Sequence, residues 1–474
     1  MSKPDKKSTT LFHEKNKSLY IARALTQKGF KALFAGGAVR DMIMGKDPCD
    51  FDIVTNAQYE EILRIFANEK IKKVGKTFAV CMVNGIEVAS CRSDSSHASN
   101  SSHASNSSHA SKTDFSFPEC DLAKRDITIN SMAFDPISDT FIDPFGGKQD
   151  LKDRIIRFTG NPEERIAEDP LRMVRACRFA SLLRGSLAPS TLESIIRHRN
   201  MIVDGTAPER IRHEILKAMS HATPSFFFRT LNTAGLLELI FPSLSRCDRL
   251  DGGPYHGETV FEHCLMSGDA LSPRKPVLRL AGYLHDAGKY DAAQIKDGQL
   301  TFPDHEKMAD AVIHDLQKLR FSSEEIKFID AVIKTHMRPL KADSTPKAVR
   351  RLLAFLKKHD IKWQTFMQMR IADKAANLAK QPYNRSDIRL RIDKIRQELK
   401  NDKLKGGNVV LSVRDLEISG HDIMKILNIS PCPEVGKIMN HLLECVIDEP
   451  SLNNIETLKE LVVQFGLLQT PSQS

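Results

Sequence analysis

Apolar residues recur along this chain in two periods. Leu33-Phe34-Ala35 is a short apolar run, and Asp50-Phe51-Asp52-Ile53-Val54 alternates polar and apolar positions. Both patterns predict strands, the second with Asp50 and Asp52 on one face and Phe51 and Ile53 turned to the core. Between them Gly36-Gly37 marks a turn, and residues 38–44 predict a short helix. Leu19, Ile21, Ala22 and Leu25 share one side of a predicted helix over 14–28. Ile62, Leu63, Ile65 and Phe66 do the same over 58–69. Residues 78–83 and 86–91 are strand-like runs joined by Asn84-Gly85, a two-residue hairpin signal. Further on the period becomes helical, with helices predicted over 226–240, 259–271, 276–288, 308–319 and 323–335. The expected fold class is α+β. A mixed-sheet head occupies residues 1–158, followed by a helical neck at 159–240, a helical body at 241–375 and a helical tail at 376–474.

Composition narrows the class. The 474 residues carry a net charge of +9 and a pI near 9.0, which favours a polyanionic partner. No stretch approaches eighteen apolar residues, so no membrane association is expected. The first ten residues, MSKPDKKSTT, lack an apolar core for secretion. Nine scattered cysteines without a C-x-x-C fit reduced thiols, and a cytoplasmic location is expected. No feature calls for an obligate protein partner. The basic excess concentrates in residues 340–407, with eighteen Lys/Arg against seven Asp/Glu. Arg350, Arg351, Lys357, Lys358, Arg389, Arg391, Lys394 and Arg396 lie there on helical patterns, and such a face suits an RNA backbone. Three copies of SSHAS(N/K) span residues 95–112. This polar repeat cannot bury a core and predicts a disordered insertion over about 93–117, where His97, His103 and His109 carry no chemistry of their own.

The first candidate chemistry lies at residues 33–55. Gly36 and Gly37 let a backbone approach a phosphate, and the amides opening the next helix complete a cradle. Asp50 and Asp52, projecting together, repel unless a cation lies between them, and oxygen ligands suit Mg²⁺. Glu87 on a neighbouring predicted strand is a candidate third carboxylate. A phosphate cradle beside a cation-binding pair points to phosphoryl or nucleotidyl transfer.

GGAVRD at 36–41 followed by DFDIVT at 50–55 resembles the signature of class II nucleotidyltransferases, the group of bacterial tRNA CCA-adding enzymes and poly(A) polymerases. That resemblance implies a polymerase-beta-like head and nucleotide-binding roles for Gly36, Gly37, Arg40 and Asp41. Lys124-Arg125-Asp126-Ile127-Thr128-Ile129-Asn130 resembles the family's R-R-D-F-T-I-N element, with Lys124 in place of the first Arg. Arg125 offers a fork for phosphate oxygens. Asp126 and Asn130, read as one helical turn apart, bond a ribose or orient Arg125. Residues 143–151, with Gly146-Gly147, resemble the family's flexible D…GG…DL loop and suit a hinge.

Glu168-Asp169-Pro170-Leu171-Arg172 resembles the family's E-D-x-x-R element. Pro170 fits a first helical turn and Asp169 its N-cap. Arg172, Arg175 and Arg178 then form one cationic stripe, read as lacking acidic partners, that would receive a triphosphate. The resemblance implies that Asp169 and Arg172 read the Watson–Crick edge of CTP or ATP, with Arg175 and Arg178 on phosphates.

The body carries His263, His285-Asp286 and Asp373 on predicted helices, a set resembling HD metal-dependent phosphohydrolases. His305 and His336 stand where a two-metal variant has extra ligands. Imidazole with carboxylate suits Ni²⁺, Mn²⁺ or Fe²⁺. Residues 416–439, with Gly420, Asp422 and Gly436, resemble the C-terminal element of CCA-adding enzymes, with Cys432 where that family has Gly.

These resemblances imply a Mg²⁺-dependent tRNA nucleotidyltransferase that adds CCA from CTP and ATP. Asp50 and Asp52 would be catalytic, and the HD set would be a possible second activity. The alternatives are a poly(A) polymerase, a CC-only or A-only enzyme, and an HD phosphohydrolase whose head merely binds nucleotide. Residues 74–80 lack the G-R-R-F-R-L-x-H-V segment of poly(A) polymerases, which favours CCA addition.

Overall fold

The computed structural model describes residues 6–48, 50–74, 80–90, 117–404 and 410–469. The Ser/His repeat, Cys49, the segment at 75–79 and Gly406-Gly407 lie outside the described residues. The chain falls into two compact units, Met1–Glu214 with Phe226–Leu236, and Ile215–Ser225 with Leu237–Ser474.

The first unit is built on a seven-stranded sheet. Its strands are β1 (Ala32–Ala35), β2 (Asp52–Thr55), β3 (Ile71–Val74), β4 (Val80–Val83), β5 (Ile86–Ser90), β6 (Ala133–Asp135) and β7 (Thr140–Ile142). Their order is β3-β4-β5-β2-β1-β6-β7. Only β2 and β5 run parallel, with Ile53 opposite Val88, so the sheet is mixed as expected. Asn84 (φ 53°) and Gly85 (φ 90°) turn the β4–β5 hairpin with the two positive φ values its twist requires. β1 is buried along its whole length. Leu33 and Ala35 pack with Val54, Leu122 and Ala133 on one face. Phe34 meets Phe51 edge-on at 5.0 Å on the other. The first helix, Lys6–Gln27, is longer than the predicted one and buries Ile21, Ala22 and Leu25.

Three expectations change. Asp50 precedes β2 rather than lying in it, and is exposed. Gly147 does not lie in a loop with Gly146, because Gly147–Asp153 is a helix that left-handed Gly146 precedes. Its first amides, Gly147 and Lys148, donate to Asp143 at 2.7 and 2.9 Å. A Cβ on Gly147 would lie 2.2 Å from the Thr128 carbonyl oxygen, so close packing rather than flexibility explains that glycine. The region beyond residue 158 is also not purely helical. Ile155–Ile156 pairs with Ser186–Leu187, and Gln294–Lys296 pairs with Gln299–Thr301.

The second unit is otherwise helical. Thr259 and Ser322 cap the Val260–Ala270 and Ser323–Thr335 helices through their hydroxyls. Where the chain passes from the first unit back to the second, the helix predicted over 226–240 is interrupted, because Gly235 adopts φ 67° between Ser225–Thr233 and Leu237–Ile240. Near the C-terminus, Ser419 and Asp422 form a capping box that opens Gly420–Leu427. Leu416, Ile418, Ile423, Ile438, Leu442, Val446, Leu458 and Val462 make a core of their own there. No helix among the described residues is long and apolar enough to cross a membrane.

Candidate active site

A cavity of about 460 Å³ in the first unit gathers most of the predicted head and neck residues. Gly36, Gly37, Arg40, Asp52, Arg125, Asp126, Asn130, Asp169, Arg172 and Arg175 line it, together with Lys124, Phe179 and Arg210. Its volume lies within the range of small-molecule sites.

β2 delivers Asp52 to this cavity because Ile53, Val54 and Thr55 are anchored in the core. Burial pushes the Asp52 carboxyl up to about 6, and the charges of Glu87 and Asp50 add to this while Arg125 opposes it. Asp50 and exposed Glu87 therefore face Asp52 closely enough to repel it. Carboxylate oxygens suit a hard divalent cation, and of these three carboxylates Asp52 is the one that lines the cavity.

Gly36 turns the chain out of β1 with φ 74° and ψ −131°, a conformation essentially confined to glycine. Its amide donates to the Met132 carbonyl at 3.3 Å, so it is not free for a phosphate. A Cβ there would lie 2.6 Å from Arg125 Nη1 and 3.9 Å from Asp52 Oδ2, which places the Arg125 guanidinium directly over the turn. Arg125 Nε donates to Asp121 at 3.0 Å. Arg40 is pinned by Asp41 through Nε and Nη2, at 3.1 and 3.0 Å, and by Asn130 through Nη1 at 2.7 Å.

The pairing of Asp126 departs from expectation. It accepts from Arg175 Nε at 2.8 Å and makes a 2.6 Å ion pair with Arg175 Nη2, so it orients Arg175 rather than Arg125. Asp126 and Asn130 do not share a helical turn. Ile127 is extended, and only Thr128–Asn130 coils into a 3₁₀ turn, which brings Asn130 Nδ2 to 3.5 Å from Asp126 Oδ1.

The arginine stripe is likewise corrected, because each guanidinium is paired with a carboxylate. Arg172 Nη1 donates to Glu168, four residues earlier, at 2.5 Å. Arg175 pairs with Asp126. Arg178 is buried and hydrogen-bonded to buried Glu214, and it does not line the cavity. Arg40, Arg175 and Arg178 surround the Phe179 ring at 5.6, 5.8 and 4.2 Å.

Pro170 precedes the Leu171–Leu183 helix, and Asp169 Oδ1 accepts from the Leu171 amide at 3.2 Å. Arg210, on the Pro208–Met219 helix, grips the same carboxylate with a two-pronged fork at 3.1 and 2.8 Å. Arg172 is fixed as firmly. Its Nη1 also donates to the Arg165 carbonyl at 3.3 Å, and its Nη2 to the Lys124 carbonyl at 3.2 Å. Arg210 and Glu214 are not marked by the sequence, and Phe179, which its pattern assigns to packing off the arginine stripe, lines the cavity. Arg210 is 41 residues from Asp169, and the only local signal was its i+4 spacing from Glu214 on one helix face.

The second unit contains a separate buried cluster. His263, His285, Asp286, His305 and His336 are each at most 5% exposed. In four histidines Nδ1 faces an oxygen: His263 to Glu258 at 3.0 Å, His285 to Gly282 O at 2.9 Å, His305 to Phe302 O at 2.9 Å, and His336 to Ile333 O at 2.6 Å. Their Nε2 atoms then converge on Asp286, at 3.1 Å from its Oδ1 for His305 and 3.3 Å for His336. His263 Nε2 also lies 3.1 Å from Asp373. His285 Nε2 and Asp286 Oδ1 have no hydrogen-bond partner among the described residues. Nδ1–H tied to oxygen with Nε2 turned inward is the arrangement of metal-ligating imidazoles. Burial pulls His263 down, but hydrogen bonds to Asp373 and Glu258 outweigh it and hold the ring up at about 9.

The tail surface is less uniformly basic than its composition implied. Arg350 is committed to Glu398 and to the Ile447 and Asp448 carbonyls. Arg351 bonds Asp448, Arg391 bonds the Leu340 and Asp387 carbonyls, and Lys394 bonds the Ser344 carbonyl. Lys357, Lys358, Arg389 and Arg396 remain exposed.

A mixed sheet that presents carboxylates beside a glycine turn, with a helical arginine cluster completing the cavity, is the head of a nucleotidyltransferase. Residues 32–157 match the family model for the poly A polymerase head domain. Residues 186–247 match that for an RNA-binding site of polymerase A, and residues 307–462 that for a second tRNA nucleotidyltransferase domain. In these segments the chain is similar to the class II nucleotidyltransferases, the group of CCA-adding enzymes and poly(A) polymerases. It is 35% identical to poly(A) polymerase I of Salmonella typhi over 237 residues, 48% of this chain and 50% of that one. It is also 35% identical to the CCA-adding enzyme of Levilactobacillus brevis over 229 residues, 46% and 53% of the two chains. The chain thus spans about half the length of the curated relatives it matches. The crystal structure of the Bacillus stearothermophilus CCA-adding enzyme in complex with CTP shares the fold, with TM-score 0.63 and 22% identity over 97% of this chain and 98% of that one.

Proposed function

We propose that this protein adds cytidylate and adenylate to the 3′ end of tRNA lacking CCA, using CTP and ATP without a nucleic-acid template. The observation that carries the reading is the single cavity shared by Asp52, Arg125 and the Asp169/Arg172 pair. The tRNA 3′ oxygen attacks the α-phosphorus, the new P–O bond forms, and the bond to the β-phosphate breaks to release pyrophosphate. Asp50 and Asp52 would hold Mg²⁺, which when bound would supply positive charge at the reacting phosphate and lower the pKa of the attacking hydroxyl. Arg40, Lys124, Arg125 and Arg175 line the cavity as phosphate donors. Arg178 is structural in this reading. Its fork is spent on Glu214.

The neck pair explains base choice. Asp169 only accepts and Arg172 only donates. The edges of cytosine and adenine present an amino donor beside a ring-nitrogen acceptor, which complements that pair. Uracil and guanine present the reverse and would leave buried groups unpaired. The exposed cations of the tail, Lys357, Lys358, Arg389 and Arg396, suit the tRNA backbone. The test is to supply tRNAs ending before the first C, after CC and after CCA, with each nucleoside triphosphate alone. Product lengths separate CCA, CC, A and poly(A) addition, and Asp52→Ala is expected to abolish all incorporation. Incorporation surviving in that variant would sink the mechanism.

A second reading is favoured by the four convergent imidazoles of the body. His263, His285, Asp286 and Asp373, with His305 and His336, would hold one or two transition-metal ions. A metal bound there supplies an activated water for hydrolysis of phosphomonoesters or cyclic phosphodiesters. The purified protein is expected to carry Ni²⁺, Mn²⁺ or Fe²⁺ by elemental analysis, and Asp286→Ala to lose it while keeping nucleotide addition. Absence of bound metal and of phosphatase activity across all three ions would reduce the cluster to scaffold.

A further inference from the structure

Asp169 is described above as the acceptor for an incoming base, but its carboxylate is already heavily used. Oδ1 accepts from the Leu171 amide at 3.2 Å and from Arg210 Nη1 at 3.1 Å, and Oδ2 accepts from Arg210 Nη2 at 2.8 Å. A carboxylate offers about four acceptor directions. Three are filled, and the remaining one is on Oδ2. Arg172 is limited in the same way. Both Nη1 protons are spent on Glu168 and the Arg165 carbonyl, and one Nη2 proton on the Lys124 carbonyl. What remains is one acceptor direction on Asp169, with the second Nη2 proton and the Nε–H of Arg172 as donors.

We infer that Arg210 is a positioning residue for base selection: its fork locks the Asp169 carboxylate so that a single acceptor direction is left for the amino group of cytosine or adenine. This rests on the proposal that Asp169 and Arg172 read the base. The lock matters because an aspartate has two rotatable bonds. Without the fork, Asp169 keeps only its link to the Leu171 amide and can swing aside. Arg172 then presents donors alone, and donors alone suit the carbonyl oxygens of uracil. Arg210 thus sets selectivity by denying Asp169 a retreat.

The placement of Arg210 supports this role. It lines the same cavity as Asp169 and Arg172. Glu214 lies one turn further along the same helix and holds buried Arg178. The Pro208–Met219 helix therefore braces the Leu171–Leu183 helix twice, once through Asp169 at its start and once through Arg178 in its middle. The guanidinium shape is needed as well as the charge, because a lysine ammonium has no fork with which to grip both oxygens.

The experiment measures kcat and KM for CTP and for UTP on tRNA lacking CCA, with the full-length wild type, Arg210→Ala, Arg210→Lys and Asp169→Ala. Thermal midpoints are recorded in parallel. Arg210→Ala is expected to lower the CTP-to-UTP ratio of kcat/KM by about tenfold, mostly through a higher KM for CTP and appearance of UTP incorporation. Arg210→Lys is expected to restore the thermal midpoint but not the ratio. If Arg210→Ala lowers both nucleotides equally, or Arg210→Lys restores the ratio, the positioning role is wrong while base reading stands. If Asp169→Ala itself leaves the ratio unchanged, base reading fails, and the role of Arg210 with it.

Discussion

Replacing Gly36 by Ala separates two costs that the structure predicts at one position. Gly36 has φ 74° and ψ −131°, where an L side chain is strained by about 1–3 kcal/mol. The new Cβ would also stand 2.6 Å from Arg125 Nη1. That atom ends a flexible side chain, so the guanidinium moves at little energetic cost but leaves its place beside Asp52. Gly45 is the matched control. It has φ 67°, and a Cβ there meets nothing within 4 Å. Both variants should lose stability, with roughly 2–4 °C of thermal midpoint per kcal/mol for a unit of this size. Only Gly36→Ala should also raise the KM for nucleoside triphosphate, by about tenfold, the loss of one charge-assisted contact. Thermal unfolding and single-nucleotide incorporation on tRNA lacking CCA measure the two terms. Equal KM values in Gly36→Ala and wild type, or an equal rise in Gly45→Ala, would refute the placement of Arg125 over the glycine turn.

Other outcomes follow from the same geometry. Glu214→Ala strands the buried Arg178 guanidinium and should cost about 3–5 kcal/mol in denaturant unfolding, with part recovered when Arg178→Met is added. Gly147→Ala drives a Cβ into the Thr128 carbonyl and should cost roughly 2–3 kcal/mol, whereas a hinge glycine would tolerate the change. Asp52 gives a pH dependence. Its folded-state pKa, raised to about 6 from 3.8, lies above its unfolded value, so in metal-free protein its contribution is most favourable below 3.8 and is lost as pH rises to about 6. The thermal shift produced by Mg²⁺ should therefore grow across that window, and a shift independent of pH there would contradict Asp52 as a ligand.

Much of the site was legible because its parts are local. The alternation around Phe51 and Ile53 specified a strand, and the glycine pair specified the turn before a helix. The histidines and aspartates of the body were identifiable by type alone. Three of the errors share a cause, a partner remote in sequence. Arg178 reads as one of three equivalent arginines until Glu214, 36 residues on, takes it into the core. Asp126 reads as a partner of its neighbour Arg125, whereas it meets Arg175, 49 residues away. Gly147 reads as a hinge until the Thr128 carbonyl is found against it.

The sequence by itself determined the strand–turn–helix–strand at residues 33–55, the helical period of the neck and body, and the inventory of reactive side chains. These depend on backbone propensity and on periods of two and 3.6 residues, which act over a few positions. Only the tertiary structure decided which charges neutralise one another and which face the cavity. A guanidinium carries the same charge wherever it stands, and its role is set by the carboxylate that folding brings within about 3 Å. That choice makes Arg178 a strut, Arg175 a member of the site, and Arg210 the clamp on Asp169.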